Sequence, residues 1–233
     1  MWVDISAKYI CSTICMPRNI VRHLVQFGFD RLYTSFAWSY DFVAAAASLG
    51  EWKVWGAAAL SFLPHEIFIN GAPLLEIAHG TGHLHARLRE QGMHIVGVDR
   101  SAQMGRLTRT RCGKDAALAR TDALALPFMN AAFAAVVCTF PASFVFETHA
   151  LREVTRVLRT GGAYVVVPYA ALRGRDLLAR SIAFAYRITG QASSNALLEA
   201  HTRTAFENAG MHFETHRVQT PRADVTVWVG RRP

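Results

Sequence analysis

From residue 73 to 168 short apolar runs alternate with stretches in which apolar residues recur every three or four positions. The runs at 74–78, 93–99, 116–122, 133–140 and 163–167 predict strands. Between them, Leu84 and Leu88 lie at helical spacing, and Ser101 is a suitable N-cap for a helix through Met104 and Leu107. A further helix starts at Glu147, carries Leu151, Val154, Val157 and Leu158, and is expected to stop at Gly161-Gly162. Near-continuous apolar strands are those buried on both faces. Repeated strand–helix units joined by right-handed crossovers predict an α/β fold, a doubly wound and mostly parallel sheet with helices on both sides.

The flanks read differently. Residues 1–70 carry no trustworthy β-alternation and predict an α-helical N-terminal extension. One helix there runs from Glu51 towards Pro64 with Trp52, Trp55, Ala59 and Phe62 on one face. Its aromatic density suits core packing or a lid over a site. Residues 71–233 form the main domain, with a helical insertion at about 170–195. The segments 212–218 and 224–229 predict an antiparallel closing hairpin, giving seven strands in all.

Composition narrows the class. At 233 residues and 52% hydrophobic, the chain is long enough for one sizeable core, and most of it is not expected to be disordered. Its net charge of +8 admits nucleic acid or an anionic membrane surface as a peripheral contact. The basic residues form no block, so a solvated basic surface is the simpler account. Cys11, Cys15, Cys112 and Cys138 make neither a disulfide framework nor a zinc motif. Asp4 and Lys8 interrupt the apolar start, and Asp41, Glu51 and Lys53 interrupt the span at 36–63. Neither a signal peptide nor a membrane helix is expected, and a cytoplasmic protein follows as the default.

The chemistry concentrates at residues 73–85, P-L-L-E-I-A-H-G-T-G-H-L-H. A buried strand, a tight turn through Gly80-Thr81-Gly82 and a helix start form a place where backbone N–H groups meet a nucleotide-like ligand. A dinucleotide fingerprint would need a third glycine where His85 stands, and a bulky residue there opposes close helix–strand packing. Glu76 would also repel a pyrophosphate and attract a cation.

These blocks resemble the class I S-adenosylmethionine-dependent methyltransferases, a Rossmann-like family whose loop reads E/D-x-G-x-G-x-G. Here that loop is Glu76-x-Ala78-x-Gly80-x-Gly82, with Ala78 as a small departure. The likeness continues through Val96-Gly97-Val98-Asp99-Arg100-Ser101, Thr121-Asp122-Ala123-Leu124, Leu126-Pro127-Phe128 and residues 151–162, and spans about 72–168. The resemblance implies S-adenosyl-L-methionine as cofactor, held at its methionine end by Glu76, Ala78, His79, Gly80, Thr81 and Gly82. Asp99 would accept from both ribose hydroxyls. Arg100 and Met104 would flank the adenine, with Asp122, Ala123 and Leu124 bordering its amino group. Thr139, Phe140 and Pro141 would line the floor near the sulfonium. His79, His83 and His85 do not have the spacing of a metal site, and no metal is expected.

Methyl transfer from a sulfonium is an in-line displacement in which positioning and exclusion of water do much of the work. No catalytic dyad is legible. Tyr33 and Tyr40 sit in a pattern loosely resembling the ubiquinone/menaquinone C-methyltransferases, and His149 could serve as a base, so these three are the catalytic candidates. The loop Thr139-Phe140-Pro141-Ala142 lacks the N/D-P-P-Y/F pattern of enzymes that methylate exocyclic amines of bases, which argues against nucleic acid as the substrate. Phe, Tyr, Trp and Ala in the flanking segments imply a small, mostly apolar acceptor such as a quinol, phenol or lipid. Two other readings stand beside this one, a methyltransferase-like partner protein without catalysis and an NAD(P)-dependent oxidoreductase.

Overall fold

The structure, a computed structural model, describes Asp41, Ala45 and residues 48–141, 147–173 and 195–233. Its centre is one sheet built from β1 (Leu74–Ile77), β2 (Ile95–Asp99), β3 (Leu118–Arg120), β4 (Phe133–Thr139), β5 (Leu158–Val167), β6 (Ala170–Leu172), β7 (His212–Gln219) and β8 (Ala223–Arg231). The strand order is β3-β2-β1-β4-β5-β8-β6, with β7 pairing β8. The first five strands run parallel to one another. β8 is antiparallel to β5, β6 and β7, which makes the expected closing hairpin.

The helices are α1 (Trp52–Ala57), followed by a 3-10 segment (Ala58–Phe62), α2 (His65–Asn70), α3 (His83–Glu90), α4 (Ala102–Cys112), α5 (Thr148–Val157) and α6 (Asn195–Asn208). Successive strand residues point to opposite faces, so each buried strand feeds two cores. On one face Leu74, Ile95, Ala135, Val165 and Val227 pack with Trp55, Ile67, Leu84 and Leu88. On the other, Leu75, Val98, Val136, Val166 and Trp228 pack with Leu151, Val154 and Phe206. Trp228 is fully buried, so the alternation along β8 separates two covered faces and not a wet face from a dry one.

All seven expected strands are present, and the eighth arises by interruption. Residues 168 and 169 break a single extended course into β5 and β6, because Pro168 has no N–H to give to the ladder. The two pieces pair with different parts of β8. Residues 170–172 are therefore extended where a helical insertion was expected; positions 174–194 lie outside the described residues. Helix α5 likewise ends at Val157, and Leu158 already has extended geometry (φ −70°, ψ 140°). Gly161 serves not as a helix stop but within β5, at φ +77°.

The sequence block 151–162 also has a structural explanation. Glu153 Oε2 accepts from Leu126 N–H at 2.8 Å, and Arg156 donates to the carbonyls of Leu126 at 2.9 Å and Phe128 at 2.6 Å. One acid and one arginine on α5 thus clamp the loop after β3. Among the described residues no helix is long and apolar enough to cross a membrane.

Candidate functional site

The carboxyl ends of β1, β2 and β4 converge, as they must in an open parallel sheet. Strand β1 passes into a turn in which Ala78, Gly80 and Gly82 all have positive φ, at 56°, 55° and 79°. Glycine adopts this region freely, whereas alanine does so under strain. A Cβ on Gly82 would lie 2.5 Å from Thr108 Cγ2, so this glycine also permits the close approach of α4. Fully buried Thr108 donates from Oγ1 to Gly80 O at 2.9 Å and lies 3.0 Å from His79 Nδ1. His79 Nδ1 is itself 3.0 Å from Gly80 O. His79 therefore braces the loop from within, and only 6% of it is exposed.

Glu76 is 2% exposed, and its Oε2 lies 2.9 Å from Nδ1 of His85, which is wholly buried. The bulky third position does not loosen the helix–strand contact as expected from sequence. The small residue has moved to the opposite element: β2 carries Gly97 in register with Glu76, and a Cβ there would meet the His85 ring at 3.0 Å. His85 thus gives no argument against a dinucleotide, and the charge of Glu76 is left to carry it.

Asp99 ends β2 one strand away. Its Oδ2 accepts from Gly80 N–H at 3.0 Å and its Oδ1 from Ser101 N–H at 2.7 Å, so it fixes both the glycine loop and the start of α4. Each carboxylate oxygen keeps further acceptor capacity for a ligand hydroxyl. Ser101 caps α4 by accepting from Met104 N–H at 3.3 Å. Met104 is fully buried and offers no surface to a ligand in this conformation. Arg100 is exposed, and its carbonyl accepts from Arg120 Nε at 3.0 Å. Beside β2, Asp122 accepts from Leu124 N–H at 3.1 Å in a tight turn, and Thr121 N–H reaches Asp99 O at 3.2 Å. Ala123 and Leu124 are partly buried there.

Asp41 reaches the site from the N-terminal extension, an arrangement with no local signal beyond its place after Tyr40. It accepts from Thr81 Oγ1 at 2.5 Å, His83 Nε2 at 2.8 Å and Arg111 Nη2 at 2.8 Å. Arg111 also donates to the carbonyl of Thr81. Burial pushes the Asp41 carboxyl up, but the bonds from His83, Thr81 and Arg111 outweigh it and hold the group well below the usual carboxylate range. Trp52 meets His83 edge to face, with ring centroids 4.8 Å apart.

These parts enclose a cavity of about 430 Å³. Its wall includes Glu76, Ala78, His79, Gly80 and Thr81, Thr139 and Phe140, and Trp52, Gly56, His83 and Arg111, with Lys53, Arg87 and Glu90 as further charged members. Phe140 holds a strained φ of +50°, is tied through its N–H to Val167 O at 2.7 Å, and lies 6.4 Å from the Trp55 ring. Gly82, Asp99, Arg100, Met104, Asp122, Ala123, Leu124 and Pro141 are not among the residues that line this space. Tyr33 and Tyr40 lie outside the described residues, and His149 is exposed on the first turn of α5 and does not line the cavity. Cys138 is fully buried, and burial pushes its thiol far up, which leaves it unfit as a nucleophile.

The comparisons with known proteins agree with this geometry. A family model described as a methyltransferase domain matches residues 74–162. The demethylmenaquinone methyltransferase of Deinococcus radiodurans is 35% identical over 147 residues, covering 60% of this chain and 59% of that protein. The ubiquinone/menaquinone biosynthesis C-methyltransferase UbiE of Paracoccus denitrificans is 31% identical over 150 residues, covering 60% and 58%. The match thus spans about six tenths of the length of these curated relatives. In fold, the chain is similar to the Haemonchus contortus phosphoethanolamine N-methyltransferase 2 solved with S-adenosyl-L-methionine. That likeness has a TM-score of 0.56 at 15% identity and covers 88% of this chain and 59% of that one.

Proposed function

We propose that this chain is a class I S-adenosylmethionine-dependent methyltransferase resembling the quinone-biosynthesis enzymes, and that it transfers a methyl group to a small, mostly apolar acceptor. The observation that carries this reading is the buried Glu76 carboxylate on the wall of the cavity formed by the glycine loop, Thr139 and Phe140. A carboxylate there suits a cationic amino-acid end, and the next strand's Asp99 suits ribose hydroxyls. The donor set therefore fits S-adenosylmethionine. When bound, this cofactor supplies an electrophilic methyl carbon on a sulfonium.

The residues then have distinct tasks. Glu76 and the loop N–H groups hold the methionine end, and Asp99 holds the ribose while keeping Gly80 in place. Asp122, Ala123 and Leu124 would border the base, and the exposed Arg100 would flank it. Thr139 and Phe140, with Pro141 after them, form the floor against which the acceptor meets the methyl group. Trp52 and Phe140 give that space apolar walls and exclude water. Alignment alone suffices for an acceptor that arrives already ionised at the attacking atom, whereas a neutral phenol or a ring carbon must also give up a proton, to a base or to solvent. Tyr33 and Tyr40 are proposed as acceptor contacts. The demethylmenaquinone and UbiE relatives favour a quinol among apolar acceptors.

Incubation with methyl-labelled S-adenosylmethionine and a panel of demethylated quinols, phenols and phospholipids tests this. Label is expected in the organic extract with a quinol or phenol. Cofactor binding with no transfer to any of them would favour a partner protein without catalysis.

A further inference from the structure

We propose that His85 is a positioning residue for the cofactor. As the neutral tautomer protonated at Nδ1, it holds Glu76 as an oriented carboxylate facing the cofactor's cationic end. This rests on the reading of Glu76 as the group that receives that end.

The pair is sealed, with His85 at 0% and Glu76 at 2% exposure and 2.9 Å between Nδ1 and Oε2. His85 Nε2 has no hydrogen-bond partner among the described residues. Three proton arrangements satisfy the short contact. An imidazolium beside a carboxylate, or a protonated Glu76 donating to Nδ1, both place a proton on Nε2. Either would bury an N–H with no acceptor, and such orphaned donors are rarer in native structures than under-used acceptors. The imidazolium would add an unsatisfied charged donor, which is costlier still. The third arrangement leaves only a lone pair at Nε2 and makes Nδ1–H donate to an ionised Glu76. The geometry selects that one.

The ring packs against Gly97, where a Cβ would come within 3.0 Å of Nδ1 and Cε1, and its centroid is 6.3 Å from that of the His79 ring. Glu76 is thus left with its negative charge intact and Oε2 fixed, on a cavity wall. Without His85, a carboxylate buried to this degree would lose the donor that fixes Oε2, and its oxygens would no longer be held facing the cation.

The test uses the full chain. Nitrogen-15 histidine spectra of the ligand-free protein should show His85 protonated at Nδ1 and bare at Nε2; a proton on Nε2 would overturn the proposal. Titration with S-adenosylhomocysteine should show His85→Leu binding at least about tenfold more weakly, the size expected for a charge-assisted bond. His85→Asn, which can donate from near the Nδ1 position, should retain most of the affinity. In a Glu76→Gln background, His85→Leu should have no further effect. Wild-type affinity in His85→Leu, or an equal loss in both backgrounds, would refute the role. If the Leu variant does not fold, the Asn variant and the spectra decide. If the wild-type protein does not bind S-adenosylhomocysteine, the cofactor reading fails, and the spectra still decide the tautomer.

Discussion

Asp41 and His83 lie 2.8 Å apart, Oδ2 to Nε2, across 42 positions of sequence, and so join the N-terminal extension to the first residue of α3. With Thr81 and Arg111 on the same carboxylate, the contact ties that extension to the glycine loop itself. Asp41→Asn should lower stability by about 1 kcal/mol, since the group is partly solvated and the bonds are charge-assisted. In a chain of this size that is roughly 2–4 °C in Tm. The sign with pH follows from the depressed carboxyl. Its contribution is full above the unfolded value of about 3.9 and is lost as pH falls towards the lower folded value. Thermal melts should therefore show a gap between wild type and variant near neutral pH that closes on acidification below about pH 4.

Ala78 holds φ +56° where glycine would be unstrained. Ala78→Gly removes roughly 1–2 kcal/mol of left-handed strain. It also gives back roughly 0.4–1 kcal/mol of unfolded-chain entropy. The net expectation is a small gain, a Tm rise of about 2 °C by calorimetry. A fall in Tm would mean that the alanine methyl makes a packing contribution larger than the strain.

Gly97→Ala places a Cβ 2.7 Å from Leu118 Cδ2 and 3.0 Å from the His85 ring. Leu118 can turn away, but the His85 ring is held by Glu76. Overpacking of this kind should destabilise by about 1–3 kcal/mol. Chemical denaturation should show the loss, and Gly97→Ala should cost less in a His85→Ala background than in the wild-type protein.

Asp99→Ala should weaken S-adenosylmethionine binding at least about tenfold. The substitution removes the expected ribose acceptor and the partner of two backbone N–H groups, Gly80 at 3.0 Å and Ser101 at 2.7 Å. Calorimetric affinity equal to wild type would refute the assignment.

Much of this arrangement was legible before any coordinates. The runs that became β1, β2, β4 and the second half of β5 are mostly apolar because both faces are covered, and that pattern survives in sequence, whereas β3 is only partly buried and reads weakly. The break at Pro168 was harder to foresee, because β5 and β6 pair with different stretches of one distant strand. Glu76, Gly80, Gly82 and Asp99 stood out through local spacing. Asp41, Thr108 and Arg111 did not, since their roles depend on contacts across 28 or more positions that no periodicity encodes. His85 was misjudged for a related reason. Its fit depends on Gly97, which lies on the neighbouring strand.

The central claim is that the glycine loop and Glu76 receive a cationic methyl donor and not a dinucleotide. Parallel titrations of the full chain with S-adenosylhomocysteine and NADH test it most directly. Saturable binding of S-adenosylhomocysteine with no heat from NADH is the predicted result. Binding of NADH alone would contradict it.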